Sequence, residues 1–178
     1  MALRATVYRA DLTVSDLDRG VYSQHALTLA RHPSETEERL MVRLLAFALH
    51  ADEALVFGRG LSTEDEADLW QRDATGMIER WIDVGLPAEK DIRKACGRAR
   101  EVVVLAYGAR RVEQWWSDNA EQLSRLANLK VFTLTAAETE ALQALATRSM
   151  TLTCTVQDGH VWFATERATV EVVPARRP

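Results

Sequence analysis

The run Val102-Val103-Val104-Leu105-Ala106-Tyr107 constrains this chain more than any other segment. Six consecutive hydrophobic side chains without alternation suit a strand inside a sheet that is covered on both faces, and that points to an α/β-type (mixed α+β) fold. Its neighbours agree. Pro87 opens a helical stretch in which Ile92, Ala95, Cys96 and Ala99 form a narrow apolar stripe. Beyond Gly108, a helix over 110–126 carries Val112, Trp115, Trp116, Leu123 and Leu126.

Upstream, residues 2–14 and 21–31 alternate as strands around the polar turn Ser15–Gly20. Ser34 with Glu37 forms a capping box behind Pro33, and Leu40, Leu44, Phe47 and Ala48 recur at helical spacing, so a helix is expected over 34–51. Glu35, Glu37 and Glu38 have the sign that favours a helix N-terminus. A short strand Leu55-Val56-Phe57 is closed by Gly58 and Gly60, and Ser62–Glu66 reads as an acidic loop. Asp68–Asp73 and Gly76–Gly85 read as two strands around Asp73-Ala74-Thr75-Gly76.

The rest follows the same logic. Leu129–Leu134 is a short strand, and Thr135 with Glu138 caps a helix over 136–147. Thr151–Val156 turns at Asp158-Gly159 into Val161–Phe163, and Val170–Val173 precedes a Pro/Arg tail expected to fray. At 178 residues, with no repeat or linker, the chain is expected to be one domain over 1–178.

Several function classes are disfavoured. The formal net charge of −4 argues against non-specific nucleic-acid binding by bulk charge. Cys96 and Cys154 lie far apart in a helix pattern and a strand pattern, so free buried thiols are expected, with no disulfide or zinc site. No leader-like apolar run opens the chain and no stretch reaches membrane-spanning length, so a cytoplasmic protein with no membrane partner is expected. His25, His32, His50 and His160 show no ligand spacing, and His32 is read as a brace for the following helix. Trp115 and Trp116 point in different directions from their helix; one is expected in the core, and the other is either a partner or nucleic-acid stacking surface or, more commonly, a partly buried tryptophan. Arg110/Arg111 and Arg176/Arg177 are small basic clusters, and there is no phosphate-binding glycine loop, GxSxG elbow or Cys–His nucleophile pattern.

The acids of the 68–85 hairpin are the candidate chemistry. With Asp73 paired to Gly76 in regular register, Asp68 falls opposite Trp81, and Glu79, Trp81 and Asp83 share its face. Asp68 is then roughly 7 Å from both Glu79 and Asp83 at Cβ. Those two acids are about 13 Å apart, so one ion can use Asp68 with either, not with both. A one-residue bulge at Gly76 would put Asp68 on the other face. Paired carboxylates suit a hard cation such as Mg²⁺ or Mn²⁺. The competing reading is an acidic face that is solvated, or paired with Arg72 and Arg80.

The segments MALRATVYRADLTVSDLDR, LTLARHPSETEERLMVRLLAFAL, RDATGMIERWIDVGLPAEKDIRKAC and SMTLTCTVQDGHVWF resemble the bacterial YaeQ family over essentially the whole chain. HPSETEER and GMIERWIDVGLP are the most specific matches. The resemblance implies a variant of the PD-(D/E)XK nuclease fold, with an αβββαβ core at about 34–107 in a central mixed sheet, extended by the N-terminal hairpin and the C-terminal strands. It also implies a site. Asp68 matches the strand Asp, with Ala67 replacing the signature Pro. The third-strand acid is Glu79 or Asp83, and the helix acid is Glu38, with Glu35 the alternative.

The motif lysine is missing, because position 81 is Trp and position 85 is Gly. Lys94, or Lys90, on the next helix is the candidate replacement, against the alternative of a solvated helix face beside Arg93 and Arg98. Two functions stand open at this point. One is a Mg²⁺- or Mn²⁺-dependent nuclease or phosphodiesterase, with Asp68, Glu79 and Asp83 as metal ligands and Glu38 and Lys94 as catalytic groups. The other is a degenerate module on the same fold that binds nucleic acid or a protein partner.

Overall fold

The computed structural model describes residues 4–59 and 65–178, so most of the acidic loop expected at Ser62–Glu66 lies outside the described residues. In chain order the elements are β1 (Thr6–Asp16), β2 (Val21–Arg31), α1 (Glu37–Leu49), β3 (Leu55–Phe57), β4 (Leu69–Arg72) and β5 (Ile78–Val84). Then come α2 (Glu89–Cys96), β6 (Ala99–Ala106), α3 (Arg110–Leu123), β7 (Leu129–Thr133) and α4 (Ala136–Ala144). β8 (Ser149–Gln157), β9 (His160–Ala164), β10 (Thr169–Val172) and β11 (Ala175–Arg176) complete the chain. From α1 to β6 the order is helix, three strands, helix, strand, as the sequence suggests. The chain divides into two compact units, 1–51 with 137–174, and 52–136 with 175–178.

The first unit holds a five-stranded sheet in the order β10-β9-β8-β1-β2. The N-terminal hairpin and the C-terminal strands therefore build a sheet of their own instead of extending a central one. The join is the parallel pairing of β1 with β8, from Arg9↔Ser149 to Asp16↔Val156. Tyr8, Ala10, Leu12 and Val14 of β1 are buried, as strict alternation requires. In α1, every residue from Leu40 to Ala48 is buried, the signature of a helix enclosed on all sides. This includes Arg43, whose Nε and Nη2 donate to the two carboxylate oxygens of buried Glu35, each at 2.8 Å.

Helix α1 starts later than the capping-box reading of Ser34 suggests. Ser34 is engaged with His32, its hydroxyl 2.6 Å from Nδ1, and Thr36 is the N-cap, accepting the Arg39 N–H at 3.1 Å. His32 does brace the approach to the helix, since its Nδ1 also accepts the Ser34 N–H.

The second unit holds a six-stranded sheet in the order β11-β7-β6-β5-β4-β3. β3, β4 and β5 form an antiparallel meander, and β5, β6 and β7 are parallel, connected through α2 and α3. Val102, Val103, Val104, Leu105 and Ala106 are all buried, so β6 is covered on both faces as its composition predicts. Val102 and Val104 share a core with Trp81, Ile92, Ala95, Val112 and Leu123, which fixes α2 and α3 against one face of the sheet. Trp115 and Trp116 both pack half-buried against this core, and the Trp115 indole N–H donates to the Pro87 carbonyl at 2.8 Å.

The C-terminal tail does not fray. Ala175 and Arg176 pair with Thr133 and Phe132, and the Arg177 guanidinium ion-pairs with Glu113. Cys96 and Cys154 are free thiols that burial pushes up to about 11 and about 12 respectively. Among the described residues, no helix is long and apolar enough to cross a membrane.

Candidate functional site

Asp68 immediately precedes β4, and its backbone is set by Gly58. The Gly58 N–H donates to the Asp68 carbonyl at 2.8 Å, and a Cβ at Gly58 would lie 2.1 Å from the Ala67 carbonyl oxygen. Only glycine permits that approach. The Asp68 side chain is buried, and its Oδ2 accepts the Val84 N–H at 2.9 Å. The Asp68 N–H in turn donates to Asp83 Oδ1 at 3.3 Å.

The hairpin register differs from the regular one, and it does so twice. The Asp73 N–H donates to the Met77 carbonyl, so Ala74-Thr75-Gly76 forms a three-residue loop and the pairing shifts by one. Gly76, at φ +86°, supplies the left-handed residue such a loop needs. A second single-residue shift falls between Gln71, which faces Arg80, and Arg72, which faces Ile78; Glu79 is the extra residue of this bulge. The two shifts cancel in parity. Beyond them Trp70 faces Trp81 and Leu69 faces Ile82, so Asp68 comes directly across from Asp83, where the regular register has it diagonal.

The same steps separate Glu79 from the pair. Its carboxylate lies 3.0 Å from Arg100 Nη1, and Arg100 also approaches Asp73 at 3.7 Å. Arg72 and Arg80, the partners expected for the acidic face, are engaged elsewhere. The Arg72 guanidinium stacks 4.4 Å over the Trp70 ring, and Arg80 Nε donates to Glu101 at 3.0 Å. Burial works against ionisation of Glu101, but hydrogen bonds from Lys130 and Arg80, and their charges, hold its carboxyl below the ordinary value.

Asp83 is oriented by its own strand. The Trp81 indole N–H donates to Asp83 Oδ2 at 2.9 Å, possible because residues two apart in a strand share a face. Trp81 is itself buried, packed edge-on against Trp70 at 5.7 Å with the Arg98 guanidinium 5.2 Å above its ring. The sequence pattern carried the Trp81–Asp83 parity, yet the indole as an orienting donor was missed, as was the role of Gly58.

Neither position for an acid-X-Lys lysine can hold one cheaply. Position 81 is this buried tryptophan. Position 85 is a glycine at φ +97° whose N–H donates to the Leu105 carbonyl, a conformation that strains any side-chain-bearing residue. Lys94 and Lys90 are exposed on α2, where they line a surface hollow of about 290 Å³ with Asp91 and Arg93. Glu38 lies in the other unit, half-buried in the first turn of α1. Glu35, the alternative helix acid, is held by Arg43 and by Arg39 at 2.9 Å.

The structure thus brings together Asp68 and Asp83. Among the described residues, no group of three or more His, Cys, Asp or Glu side chains is placed to hold a metal ion. Two acids on adjacent strands still match the oxygen preference of Mg²⁺ or Mn²⁺. Magnesium ordinarily retains several waters, so it needs few ligands from the protein.

The family model described as YaeQ protein matches residues 1–174. The uncharacterised protein YaeQ of Salmonella typhi is 46% identical over 172 residues, covering 97% of this chain and 95% of its own length. Its counterpart in Escherichia coli (strain K12) is 45% identical over the same shares. The crystal structure of the YaeQ protein from Xanthomonas axonopodis pv. citri superposes with a TM-score of 0.94 at 54% identity, covering 97% of this chain and 98% of that one. The YaeQ protein from Pseudomonas syringae gives 0.92 at 36% identity, covering 98% and 96%.

Proposed function

The chain belongs to the YaeQ family, and on that premise we propose that Asp68 and Asp83 hold one divalent cation, Mg²⁺ or Mn²⁺, in a phosphodiesterase or nuclease acting on nucleic acid. The observation that supports this reading is the double register shift, which leaves Asp68 and Asp83 as neighbours across adjacent strands, each bonded by the backbone beside the other. Bound there, the cation would polarise a phosphoryl oxygen and lower the pKa of an attacking water. The protein's own part is positional. The Val84 N–H fixes Asp68, and the Asp68 N–H and the Trp81 indole fix the two oxygens of Asp83. Of the two acids the family pattern allows on this strand, Asp83 is the better ligand, because Glu79 stands in the bulge and is committed to Arg100. Lys94 is the residue we assign to backbone phosphate contact from α2, with Lys90 beside it.

Calorimetric titration with Mn²⁺ tests the site. Wild-type protein should bind one ion, and Asp68→Asn and Asp83→Asn should each abolish binding while retaining the fold. A flat wild-type titration at millimolar metal overturns the reading. A second reading, a module that retained the fold and lost the chemistry, is favoured by the unfilled lysine position at Gly85. Metal binding with no Asp68-dependent cleavage of single- or double-stranded DNA or RNA would select it.

A further inference from the structure

The guanidinium of Arg98 stands beside the acid pair without being bonded to it. Arg98 closes the turn after α2, where its N–H donates to the Ala95 carbonyl at 2.9 Å, and the next residue begins β6. From that junction its side chain reaches over β5, with Cζ 5.2 Å from the centre of the Trp81 ring. The same indole donates its N–H to Asp83 Oδ2 at 2.9 Å. Arg98 also touches the segment that leads to Asp68, since Nη1 donates to the Asp65 carbonyl at 3.5 Å and lies 3.8 Å from the Asp65 carboxylate. Two independent contacts, one through the partner of Asp83 and one just ahead of Asp68, thus fix where this charge sits. They hold it loosely. The Asp65 side chain is 85% exposed, both distances are at the long end of their kind, and an exposed pair of this sort contributes little. The Arg98 side chain is 40% exposed, so its donors are within reach of a ligand. Arg80 and Arg100, the other arginines of β5 and β6, are committed to Glu101 and to Glu79 with Asp73.

We propose that Arg98 is the phosphoryl-binding cation of this site, its guanidinium contacting a non-bridging oxygen of a phosphate group held at Asp68 and Asp83. The proposal rests on the reading of those two acids as metal ligands and adds the residue that meets the substrate's own charge. Arginine suits the place. A guanidinium presents a planar fork of N–H donors, stays charged at every working pH, and can stack on an aromatic face while its edge remains free to bond. Trp81 supplies that face. The fork already lies beside one oxygen anion, the Asp65 carboxylate, so a phosphoryl oxygen would replace like with like. Because its ion pair is with Asp65, Arg98 leaves the negative charge of Asp68 and Asp83 to the cation. The positive charge absent from positions 81 and 85 is thereby brought from the α2–β6 junction, while Lys94 keeps its separate contact with the flanking backbone. Preorganised cations at a phosphoryl group act where negative charge is concentrated in the transition state.

Calorimetric titration with Mn²⁺, and then with thymidine 5′-phosphate at saturating Mn²⁺, tests the proposal on wild type, Arg98→Ala and Arg98→Lys. Wild-type protein should bind both. Arg98→Ala should bind Mn²⁺ as wild type does and lose nucleotide affinity roughly tenfold or more, as expected when a charge-assisted contact is removed. Arg98→Lys keeps the charge without the fork and should fall between the two, and it carries the comparison if the alanine variant does not fold. Nucleotide affinity that is undetectable in wild type, or equal in wild type and the variants, overturns the role of Arg98 and leaves the metal site standing. A matching loss of Mn²⁺ affinity in Arg98→Ala also overturns it, because Arg98 would then act by positioning Trp81 and Asp83. A wild-type protein that binds no Mn²⁺ at millimolar metal removes the metal site itself, and the proposal with it.

Discussion

The Asp68 N–H donates to the Asp83 carboxylate at 3.3 Å while the Asp68 carboxylate accepts the N–H of Val84, so each acid is held by the backbone beside the other. This reciprocal arrangement makes the approach to β4 and the end of β5 one structural object. A change on either strand should be felt at both acids.

Trp81→Phe is the mildest probe of that object. It keeps most of the ring that packs against Trp70 and Arg98, and it deletes the indole N–H that orients Asp83 Oδ2. Loss of one hydrogen bond to a charged group should cost about 1.5–3 kcal/mol in urea unfolding. Mn²⁺ affinity should fall roughly tenfold, as when a group that orients a metal ligand is removed. Unchanged stability would show that the indole bond is incidental.

Gly58→Ala gives a prediction of sign. Where the backbone tolerates it, Gly→Ala stabilises by about 0.4–1 kcal/mol through the unfolded chain. Here the new Cβ would lie 2.1 Å from the Ala67 carbonyl oxygen, a backbone atom that cannot rotate away. The substitution should therefore destabilise by about 1–3 kcal/mol, the usual range for overpacking, and should speed amide exchange at Gly58, whose N–H is bonded to Asp68. A stabilised variant would mean that the 58–68 approach yields easily and that Asp68 is not fixed by it.

Much of the fold was legible because burial leaves a local trace. β6 is covered on both faces and reads as an unbroken apolar run, and the elements from α1 to β6 follow in the order the pattern suggests. Long-range choices left no such trace. Nothing local tells Arg9–Asp16 to pair with Ser149–Val156, and so the separate five-stranded sheet was not readable. The start of α1 was misplaced because Ser34 satisfies the capping-box pattern yet spends its hydroxyl on His32. In the candidate site, the nearness of Asp68 to Asp83 was legible and their register was not. The adjacent charged pair Glu79-Arg80, which breaks alternation within β5, was the available sign of the bulge.

The 73–77 turn should make its own contribution to acid sensitivity. Asp73 Oδ1 accepts from the Thr75 hydroxyl, the Thr75 N–H and the Met77 N–H at 2.6, 2.8 and 3.0 Å. The Thr75 hydroxyl bond is the largest influence; with those backbone bonds and the charge of Arg100 it outweighs desolvation and holds the carboxyl below its ordinary 3.8. A carboxyl with a depressed folded-state pKa adds stability that is present above the unfolded value and lost as pH falls through the folded one. Wild type should therefore exceed Asp73→Ala in urea midpoint by a constant margin at neutral pH. The margin should shrink only below about pH 4, near the unfolded value. A margin independent of pH down to acid unfolding would assign the turn's stability to shape and not to charge.

The buried pair Glu35–Arg43 yields the sharpest asymmetry. Both side chains are almost fully enclosed, and their two parallel 2.8 Å bonds form a bidentate contact. Breaking a buried ion pair from one side typically costs about 3–5 kcal/mol, because a charge is left in a poorly solvated place. Glu35, however, has a second cation, with Arg39 at 2.9 Å on the more exposed side. Glu35→Gln withdraws the counter-charge from both arginines and should cost the full amount. Arg43→Met leaves Glu35 paired with Arg39 and fills the space with an apolar chain, so it should cost clearly less. The double variant Glu35→Leu/Arg43→Met should recover toward wild type, since well-packed apolar replacements of buried pairs are often neutral. Urea unfolding of the three proteins decides it. Equal losses for the two single variants would mean that Arg39 gives Glu35 no effective compensation.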